Sequence, residues 1–303
     1  MAPQFFFQGR MMSNSRSSFI RFVPFMFVLL WSTGFIGAKY ALPYIEPFYL
    51  LFIRMLLTLL VFAALCVIFK AQWPSFKQGK HQMVTGLLVH ACYLGGVFAA
   101  IKWQMPAGIT AIVVGLQPLL TALMGWQWLG EKLRSVQWLG LLLGLVGVVV
   151  ILLNGQHSGN FELRPEAVFA ALLALVGISV GTLYQKRFGG GVDLLSGSVY
   201  QYLATAVAMG VLAFVFEERT VEWSMTLLLS LGWLVFGLSI SAILLLMYMI
   251  REGESARVAS YFYLVPPVTT VEVWLLFGEN LSMVQSGAIG ITVLGVYLVL
   301  RRG

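Results

Sequence analysis

Apolar stretches long enough to cross a lipid bilayer recur along the whole sequence, and this restricts the fold more than any other feature. A helix rises about 1.5 Å per residue, so about 18 or more apolar residues are needed to cross a hydrocarbon core of about 30 Å. Ten stretches meet this condition, at 20–40, 47–69, 83–101, 105–128, 135–153, 166–186, 195–216, 225–250, 256–277 and 283–300. In lipid, backbone polar groups must be satisfied within each segment. The sequence therefore predicts an all-α polytopic membrane protein with ten transmembrane helices.

The composition agrees with this prediction and excludes several classes of protein. Of the 303 residues, 59% are hydrophobic and only 10% are charged. The longest connections between spans are 70–82 and 154–165. They leave no room for a soluble domain, a nucleotide-binding loop or an extramembrane enzyme. We therefore expect the protein to act inside the bilayer.

The basic residues report membrane topology rather than nucleic-acid binding. The net charge is +7, but Lys and Arg lie singly or in pairs at the ends of spans, which is the arrangement of the positive-inside rule. If the N-terminus is cytoplasmic, 14 of the 19 basic residues lie inside: Arg10, Arg16, Arg21, Lys70, Lys77, Lys80, Lys132, Arg134, Lys186, Arg187, Arg251, Arg257, Arg301 and Arg302. We expect both termini to be cytoplasmic and no nucleic acid to be bound.

The N-terminal tail and the cysteines carry little functional information. Residues 1–18 resemble neither a cleaved signal peptide nor a span, and Met11 or Met12 is an alternative start to Met1. Cys66 and Cys92 fall in separate apolar spans, so neither a disulfide nor a metal site is indicated. No nucleotide loop or nucleophile-base pair is recognisable. We expect no metal, no cofactor and no catalytic residues.

An internal repeat divides the chain into residues 19–154 and 155–303, after the tail. A shift of 147 or 148 positions aligns "AIVVGLQPLLTALMGWQWLGE" at 111–131 with "ASYFYLVPPVTTVEVWLLFGE" at 259–279. The shift superimposes Pro118 on Pro266, Gly130 on Gly278, and Glu131 on Glu279. Each repeat holds five spans, an odd number, so the second repeat is inverted relative to the first. Inverted repeats are a feature of many secondary transporters, whose substrate site lies where the repeats meet.

The residues also resemble a known family. The stretch "WSTGFIGAKYALPYIEPFYLLFIR" at 31–54, with a Pro and then "GE" in both halves, is similar to the EamA-type members of the drug/metabolite transporter superfamily. The resemblance covers about residues 20–300. It implies a ten-helix carrier of the bacterial inner membrane, often an exporter of amino acids or related metabolites. It also implies a central cavity, with the fifth and tenth helices outside it.

Two prolines at matching positions mark the candidate substrate pathway. Pro118 and Pro266 lie about halfway along the fourth and ninth spans, where each frees a backbone carbonyl that protein, water or substrate must satisfy. Paired interruptions of this kind point to a transporter site. The alternative is a kink used for packing alone. Gln117 precedes the first proline, and Tyr263 makes the ninth span differ from the fourth, where glycine holds the same position.

Two charged residues lie within spans and have no charged counterpart in the other repeat. Arg54 and Glu272 are at similar depth from the same face, and an unpaired charge near the bilayer centre costs about 2.5–3.5 kcal/mol on insertion scales. One hypothesis pairs them as a gate or as contacts for a substrate's carboxylate and amine. The other has Arg54 reach outward to Glu46. Gln201, the counterpart of Arg54, is a further candidate for the pathway.

Trp31, Thr33 and Tyr93 complete the candidate set. His90, a lone histidine within a span, is interpreted as a hydrogen-bonded structural residue rather than a proton relay. Glycines recur in two spans that we expect to form helix contacts or a homodimer face: Gly140, Gly144 and Gly147 in the fifth, and Gly287, Gly290 and Gly295 in the tenth.

The sequence thus predicts a secondary transporter of a small metabolite that works by alternating access, with the lipid bilayer and a small-molecule substrate as its partners. A small-solute channel or a membrane sensor without transport remains the alternative. An intramembrane transferase or hydrolase would need clustered acids, His or Cys at one depth, which this sequence does not supply.

Overall fold

The computed structural model describes residues 13–129, 134–157, 164–252, 261–277 and 282–300. Ten helical segments follow one another along these residues. The first five are α1 (Ser13–Ala41), α2 (Pro47–Ile68), α3 (Phe76–Lys102), α4 (107–129) and α5 (Ser135–His157). The second five are α6 (Pro165–Phe188), α7 (Leu194–Phe216), α8 (225–252), α9 (262–277) and α10 (Met283–Leu300).

The helices confirm a polytopic all-α membrane protein. Among the described residues, seven helical stretches are long and apolar enough to cross a membrane, and three shorter apolar helices lie in α5, α9 and α10. Large apolar side chains are exposed along one side of α7, at Leu203, Val207, Val211 and Phe214. Their spacing of three to four residues is that of one helix face, which lipid would cover.

Two helix starts differ from the sequence prediction. α3 begins at Phe76 instead of 83, because Ser75 and Gln78 form a reciprocal capping box that starts the helix in polar sequence. α1 begins at Ser13, so part of the predicted 1–18 tail is helical. In both places hydropathy marks the membrane-crossing part, whereas capping and backbone hydrogen bonding decide where the helix begins.

Four of the described helices are interrupted, and they form two matching pairs. α3 contains a π-helical segment at Leu87–Cys92, and α8 contains one at Leu234–Ala242, 147 positions later. α4 is divided into Ala107–Val114 and Gln117–Leu129, and α9 begins as a 3₁₀ turn at Phe262–Leu264 before Val265–Phe277. The prolines explain the second pair, because Pro118 and Pro266 each occupy the first turn of the helix after the break, where no backbone donor is needed.

The helices of the two halves exchange partners in a two-fold pattern. α1 packs on α8 and α9, while its counterpart α6 packs on α3 and α4. α2 packs on α7, α4 on α9, and α5 on α10, so these three helices contact their own counterparts. A two-fold relation between the halves produces this exchange of partners.

Glycines allow α5 and α10 to approach each other closely. A Cβ added at Gly147 would meet the hydroxyl of Thr292, and one added at Gly295 would lie 2.6 Å from the carbonyl oxygen of Gly140. A Cβ added at Gly287 or Gly290 would meet nothing within 4 Å. The predicted helix contact is therefore an intramolecular one for Gly147 and Gly295.

Candidate functional site

A small cavity lies between α1, α2, α3 and α8. Its volume is about 20 Å³, which is room for a single water molecule. The lining residues are Trp31, Gly34, Phe35, Arg54, Tyr93, Leu94, Val97, Phe98, Leu238 and Ile243. Trp31, Arg54 and Tyr93 are candidates from the sequence, and the structure brings these three together at one place.

Aromatic side chains form one wall of this cavity. The indole Nε1–H of Trp31 donates to the hydroxyl of Tyr93 at 2.9 Å, and the two rings stack with centroids 5.7 Å apart. Phe27 and Phe262 pack against Trp31 from α1 and α9, at 5.0 and 5.2 Å. The indole is thus held by one hydrogen bond and three rings, which makes the wall rigid.

Arg54 is the charged residue of the cavity. Its side chain is only 2% exposed, and its Nε–H donates to the hydroxyl of Ser239 at 2.9 Å. The Ser239 carbonyl in turn accepts the hydroxyl of Tyr202 at 3.0 Å. A guanidinium group has five N–H donors. Apart from Nε–H, the donors of Arg54 have no hydrogen-bond partner among the described residues. No described carboxylate forms an ion pair with the group.

The π-helical segments place the polar residues that surround Arg54. Ser239 belongs to the segment of α8, and His90 to the equivalent segment of α3. Such segments widen a helix locally and occur frequently at functional sites. His90 Nε2 lies 3.2 Å from Gln201 Oε1, and its ring packs on that of Tyr202 at 4.6 Å. His90 is therefore hydrogen bonded within the structure, which agrees with a structural role.

Gln201, the counterpart of Arg54, lies in a buried polar network rather than at the cavity. Its amide donates to Gln82 Oε1 at 2.7 Å, and its carbonyl is near His90. Among the described residues, His90 Nδ1 and Gln82 Nε2 are buried without a partner. The network joins α3 to α7, so it belongs to the contact between the two halves.

The predicted pair of Arg54 and Glu272 is wrong for this conformation. Glu272 accepts the hydroxyl of Ser32 at 2.7 Å, and its Oε2 has no partner among the described residues. The expectation rested on equal depth, which does not determine the direction in which a side chain faces. α9 packs on α1 and α4, whereas α2 packs on α7 and α8, so the two charges belong to different helix contacts.

The alternative pair of Arg54 and Glu46 is also wrong. Glu46 Oε2 accepts the backbone N–H of Arg219 at 2.7 Å. Glu217 accepts the backbone N–H groups of Phe48 and Tyr49 at 2.8 and 2.7 Å, so it caps the first turn of α2. Burial raises the pKa of Glu217 and the nearby Glu46 adds to this, while the two N–H groups and Lys102 oppose it.

We call this set of contacts the 46–219 clasp; it includes an antiparallel bridge between Ile45 and Val221. It joins the connection after α1 to the connection after α7. In the sequence, Glu46 and Glu217 stand out as acidic residues in two short connections between spans. Nothing in the sequence indicates that these two connections contact each other.

The breaks in α4 and α9 lie against each other. A Cβ added at Gly115 would be 2.5 Å from Pro266 Cγ, so the two helices touch where both are interrupted. Gln117 is fully buried, and its amide donates to the Thr182 hydroxyl at 3.5 Å while its Oε1 has no described partner. Pro118 lies one residue further along α4. The side chain of Tyr263 lies outside the described part of the structure.

Thr33 lies away from the cavity. Its hydroxyl donates to the Leu30 carbonyl at 2.7 Å and accepts the indole N–H of Trp233 at 2.9 Å. Trp233 is 45% exposed, so this contact lies at the outside of the helix bundle. Thr33 and Trp31 are two residues apart on α1, and the helical rotation separates their faces.

Two openings lie at opposite ends of the helices. One, of about 420 Å³, is lined by Lys39, Lys102 and residues after α1 and α3; we call it the Lys102 opening. The other, of about 90 Å³, is lined by Lys186, Gly190 and residues near the end of α8; we call it the Lys186 opening. Lys186 is 147 positions after Lys39, so the two openings occupy equivalent places in the two repeats.

Sequence reasoning missed Ser239 and Ser32, the partners of the two charged residues. Single serines in apolar spans carry no periodic signal, and only the packing of distant helices reveals what they bind. The π-helical segments were missed for a similar reason, because neither contains a proline.

Comparisons with known proteins agree on a transporter. The model of the EamA-like transporter family matches residues 20–153 and 166–301. YedA of Escherichia coli, described as an uncharacterized inner membrane transporter, is 28% identical over 91% of this chain and 88% of its own. YvbV of Bacillus subtilis, described as an uncharacterized transporter, is 28% identical over 90% of this chain and 88% of its own.

A further relative bears a functional name. A protein of Escherichia coli described as a probable amino-acid metabolite efflux pump is 25% identical over 89% of this chain and 91% of its own. A solved crystal structure covers 93% of this chain and 96% of its own, with a TM-score of 0.73 and 24% identity. That likeness supports the fold.

Proposed function

The chain belongs to the EamA-like transporter family, and we propose that it is a secondary transporter that moves a small metabolite across the bacterial inner membrane by alternating access. The proposal depends chiefly on one observation. Interruptions lie at matching positions of both repeats, in α3 and α8 and in α4 and α9. Broken helices that meet where inverted repeats join are the usual setting of a carrier's substrate site.

The two openings support alternating access. They occupy equivalent positions of the repeats but differ in size, about 420 Å³ against about 90 Å³. If the repeats exchange conformations, the small opening widens as the large one narrows. The cavity beside Arg54 has a volume of about 20 Å³, which is room for one water molecule. A channel would need a continuous wet path, and so small a cavity favours a carrier.

We assign the substrate contacts to Trp31, Arg54 and Tyr93, and the moving part of the pathway to the contact of α4 with α9. Pro118, Pro266 and Gln117 belong to that contact, and Tyr263 is retained as a prediction. Gln201, Thr33 and Glu272 lie at contacts between the repeats that would change partners during transport. The two moving units are residues 19–154 and 155–303.

We infer the direction of transport and the substrate class from the names of relatives, and the membrane orientation from the distribution of basic residues. The name of one Escherichia coli relative refers to efflux of amino-acid metabolites, and another is named as an inner membrane protein. We propose export of an amino acid or a related compound, with both termini in the cytoplasm. The distribution of Lys and Arg supports that orientation.

Counterflow in proteoliposomes tests the carrier mechanism. Vesicles that contain the purified protein are preloaded with one unlabelled compound and diluted into the same compound with a radioactive label; amino acids, nucleosides, sugars and monocarboxylates are compared. A carrier accumulates label transiently above equilibrium, because the internal compound drives exchange. Equilibration without overshoot would identify a channel, and absence of any flux above protein-free vesicles for the whole panel would contradict transport.

A further inference from the structure

Arg54 lacks a counter-charge. The guanidinium group is buried, always protonated and hydrogen bonded through Nε to a neutral serine. Taking such a charge out of water is costly unless an anion compensates it. Within the described residues no carboxylate does so, and the remaining N–H donors have no partner while the residue lines the cavity. A bound anion would satisfy both requirements.

Glu272, the acidic candidate within a span, is held elsewhere. Glu272 is bound to Ser32 at the contact of α1 with α9 and does not line the cavity. Among the described residues that line it, the cavity therefore offers one positive charge and no negative one. A zwitterionic ligand could place its carboxylate on Arg54, but its ammonium group would find no carboxylate among these residues.

The rest of the lining is apolar or aromatic. Phe35, Phe98, Leu238 and Ile243 offer no hydrogen-bonding side-chain groups, and the Trp31 indole N–H is already used by Tyr93. The hydroxyl hydrogen of Tyr93 donates to no described residue, so it is available to a second acceptor oxygen. This combination of a guanidinium, one hydroxyl and an apolar wall matches a carboxylate attached to an apolar body.

We propose that the cavity binds organic monocarboxylates with an apolar body, held by Arg54 through the carboxylate, in preference to zwitterionic amino acids and to amines. The inference narrows the proposed substrate class, amino acids or related compounds, to the related carboxylates that lack an ammonium group, and it rests on the proposed carrier function for the role of the cavity in transport. The cavity must widen to admit such a ligand, since its volume of about 20 Å³ fits only one water molecule.

Three ligands that share a phenyl ring test the proposal. They are 3-phenylpropionate, phenylalanine and phenethylamine, which carry a carboxylate alone, a carboxylate with an ammonium group, and an ammonium group alone. Binding to the full chain in lipid nanodiscs is measured by titration calorimetry. We expect 3-phenylpropionate to bind at least tenfold more tightly than phenylalanine, and phenethylamine to show no saturable binding. Phenethylamine binding as tightly as 3-phenylpropionate, or no binding of 3-phenylpropionate, would overturn the proposal.

Variants identify the site. Arg54→Gln is expected to reduce 3-phenylpropionate affinity at least tenfold, and Arg54→Lys, which keeps the charge without the paired donors, is expected to retain part of it. Lys77→Gln makes the same charge change at an exposed residue and should have no effect. If Arg54→Gln does not fold, Arg54→Lys and the three-ligand comparison still decide the matter. Unchanged affinity in a folded Arg54→Gln would overturn the assignment.

The outcome is separable from that of the carrier proposal. Suppose that phenylalanine shows counterflow, while 3-phenylpropionate neither binds nor shows counterflow. The protein would then be a carrier, but its substrates would not be monocarboxylates. Binding of 3-phenylpropionate at Arg54 without counterflow of any compound would leave the anion site and contradict the carrier.

Discussion

Trp31 and Tyr93 come from helices that are 62 positions apart in the chain, yet one hydrogen bond fixes both at the wall of the cavity. Both side chains are buried, and their hydrogen bond lies beside the cavity. Individual residues therefore set the shape of the cavity through a few buried polar contacts. The sequence could supply the residue types but not the partners.

Replacing Tyr93 by phenylalanine tests that contact. Tyr93→Phe removes the acceptor of the Trp31 N–H and leaves a buried donor unsatisfied, which we expect to cost about 1–3 kcal/mol. The variant should unfold at a lower temperature in nanodiscs, as measured by intrinsic fluorescence. Tyr40→Phe removes the hydroxyl of a tyrosine that is 37% exposed and is the matched control. Equal melting temperatures for Tyr93→Phe and the wild type would contradict a role for the bond in stability.

Glu217 in the 46–219 clasp gives a pH dependence with a defined sign. Because burial raises the pKa of Glu217, the folded protein binds its proton more tightly than the unfolded chain does. The contribution of Glu217 to stability is therefore complete below the unfolded pKa and is lost as the pH rises through the folded pKa. Glu217→Gln does not titrate, so its melting temperature should improve relative to the wild type between about pH 4 and pH 7.

Thermal unfolding across that pH range measures the difference. Glu218→Gln, the same change at an exposed neighbour, serves as the control. If the melting temperature of Glu217→Gln instead falls relative to the wild type as the pH rises, the hydrogen bonds from Phe48 and Tyr49 outweigh the effect of burial.

At the scale of helices, the functional part of the molecule consists of interruptions. α4 and α9 touch where both are broken, with Gly115 against Pro266. The prolines allowed these breaks to be predicted, because a missing donor leaves a signature in the sequence. The π-helical segments of α3 and α8 could not be predicted, since they arise from how neighbouring helices accommodate an extra residue.

The close contact of Gly115 with Pro266 predicts what a methyl group added at position 115 would do. Gly115→Ala places a Cβ 2.5 Å from Pro266 Cγ, so α4 and α9 must separate, at a cost of about 1–3 kcal/mol. We expect lower thermal stability and slower counterflow. Gly108→Ala adds the same methyl group to α4 where nothing lies within 4 Å, and it should behave as the wild type. Identical behaviour of the two variants would show that the approach at Gly115 is not required.

At the scale of the whole molecule, the two halves are interlocked. Each helix of one half that contacts the other half has a counterpart that repeats the contact, so the packing is that of two equivalent units in one chain. The family, the all-α membrane fold and the two repeats were predictable from the sequence, because hydropathy and self-similarity are properties of long stretches. The partners of Arg54 and Glu272 were not, because depth in the membrane is readable from sequence and direction around a helix axis is not.

The orientation predicted from the basic residues can be tested on the intact protein. Single cysteines are placed at exposed positions of opposite ends, Glu218→Cys and Lys77→Cys, after Cys66 and Cys92 are replaced by alanine. With both termini cytoplasmic, a membrane-impermeant maleimide applied to bacterial cells with a permeabilised outer membrane should label position 218 and not position 77. Lysed cells, in which both positions are accessible, are the control. Labelling of position 77 alone would reverse the orientation.

The single charge at the cavity has a consequence for energetics. If the substrate is a monovalent anion carried alone, each cycle moves one negative charge, and a voltage acts on that charge with about 2.3 kcal/mol per 100 mV. A bacterial inner membrane is negative on its cytoplasmic side, so this voltage drives anions outward. A carrier with Arg54 in its cavity and no second ion would then export its anionic substrate without a coupled proton. The membrane potential, rather than a one-way conformational step of the protein, would then set the direction of transport.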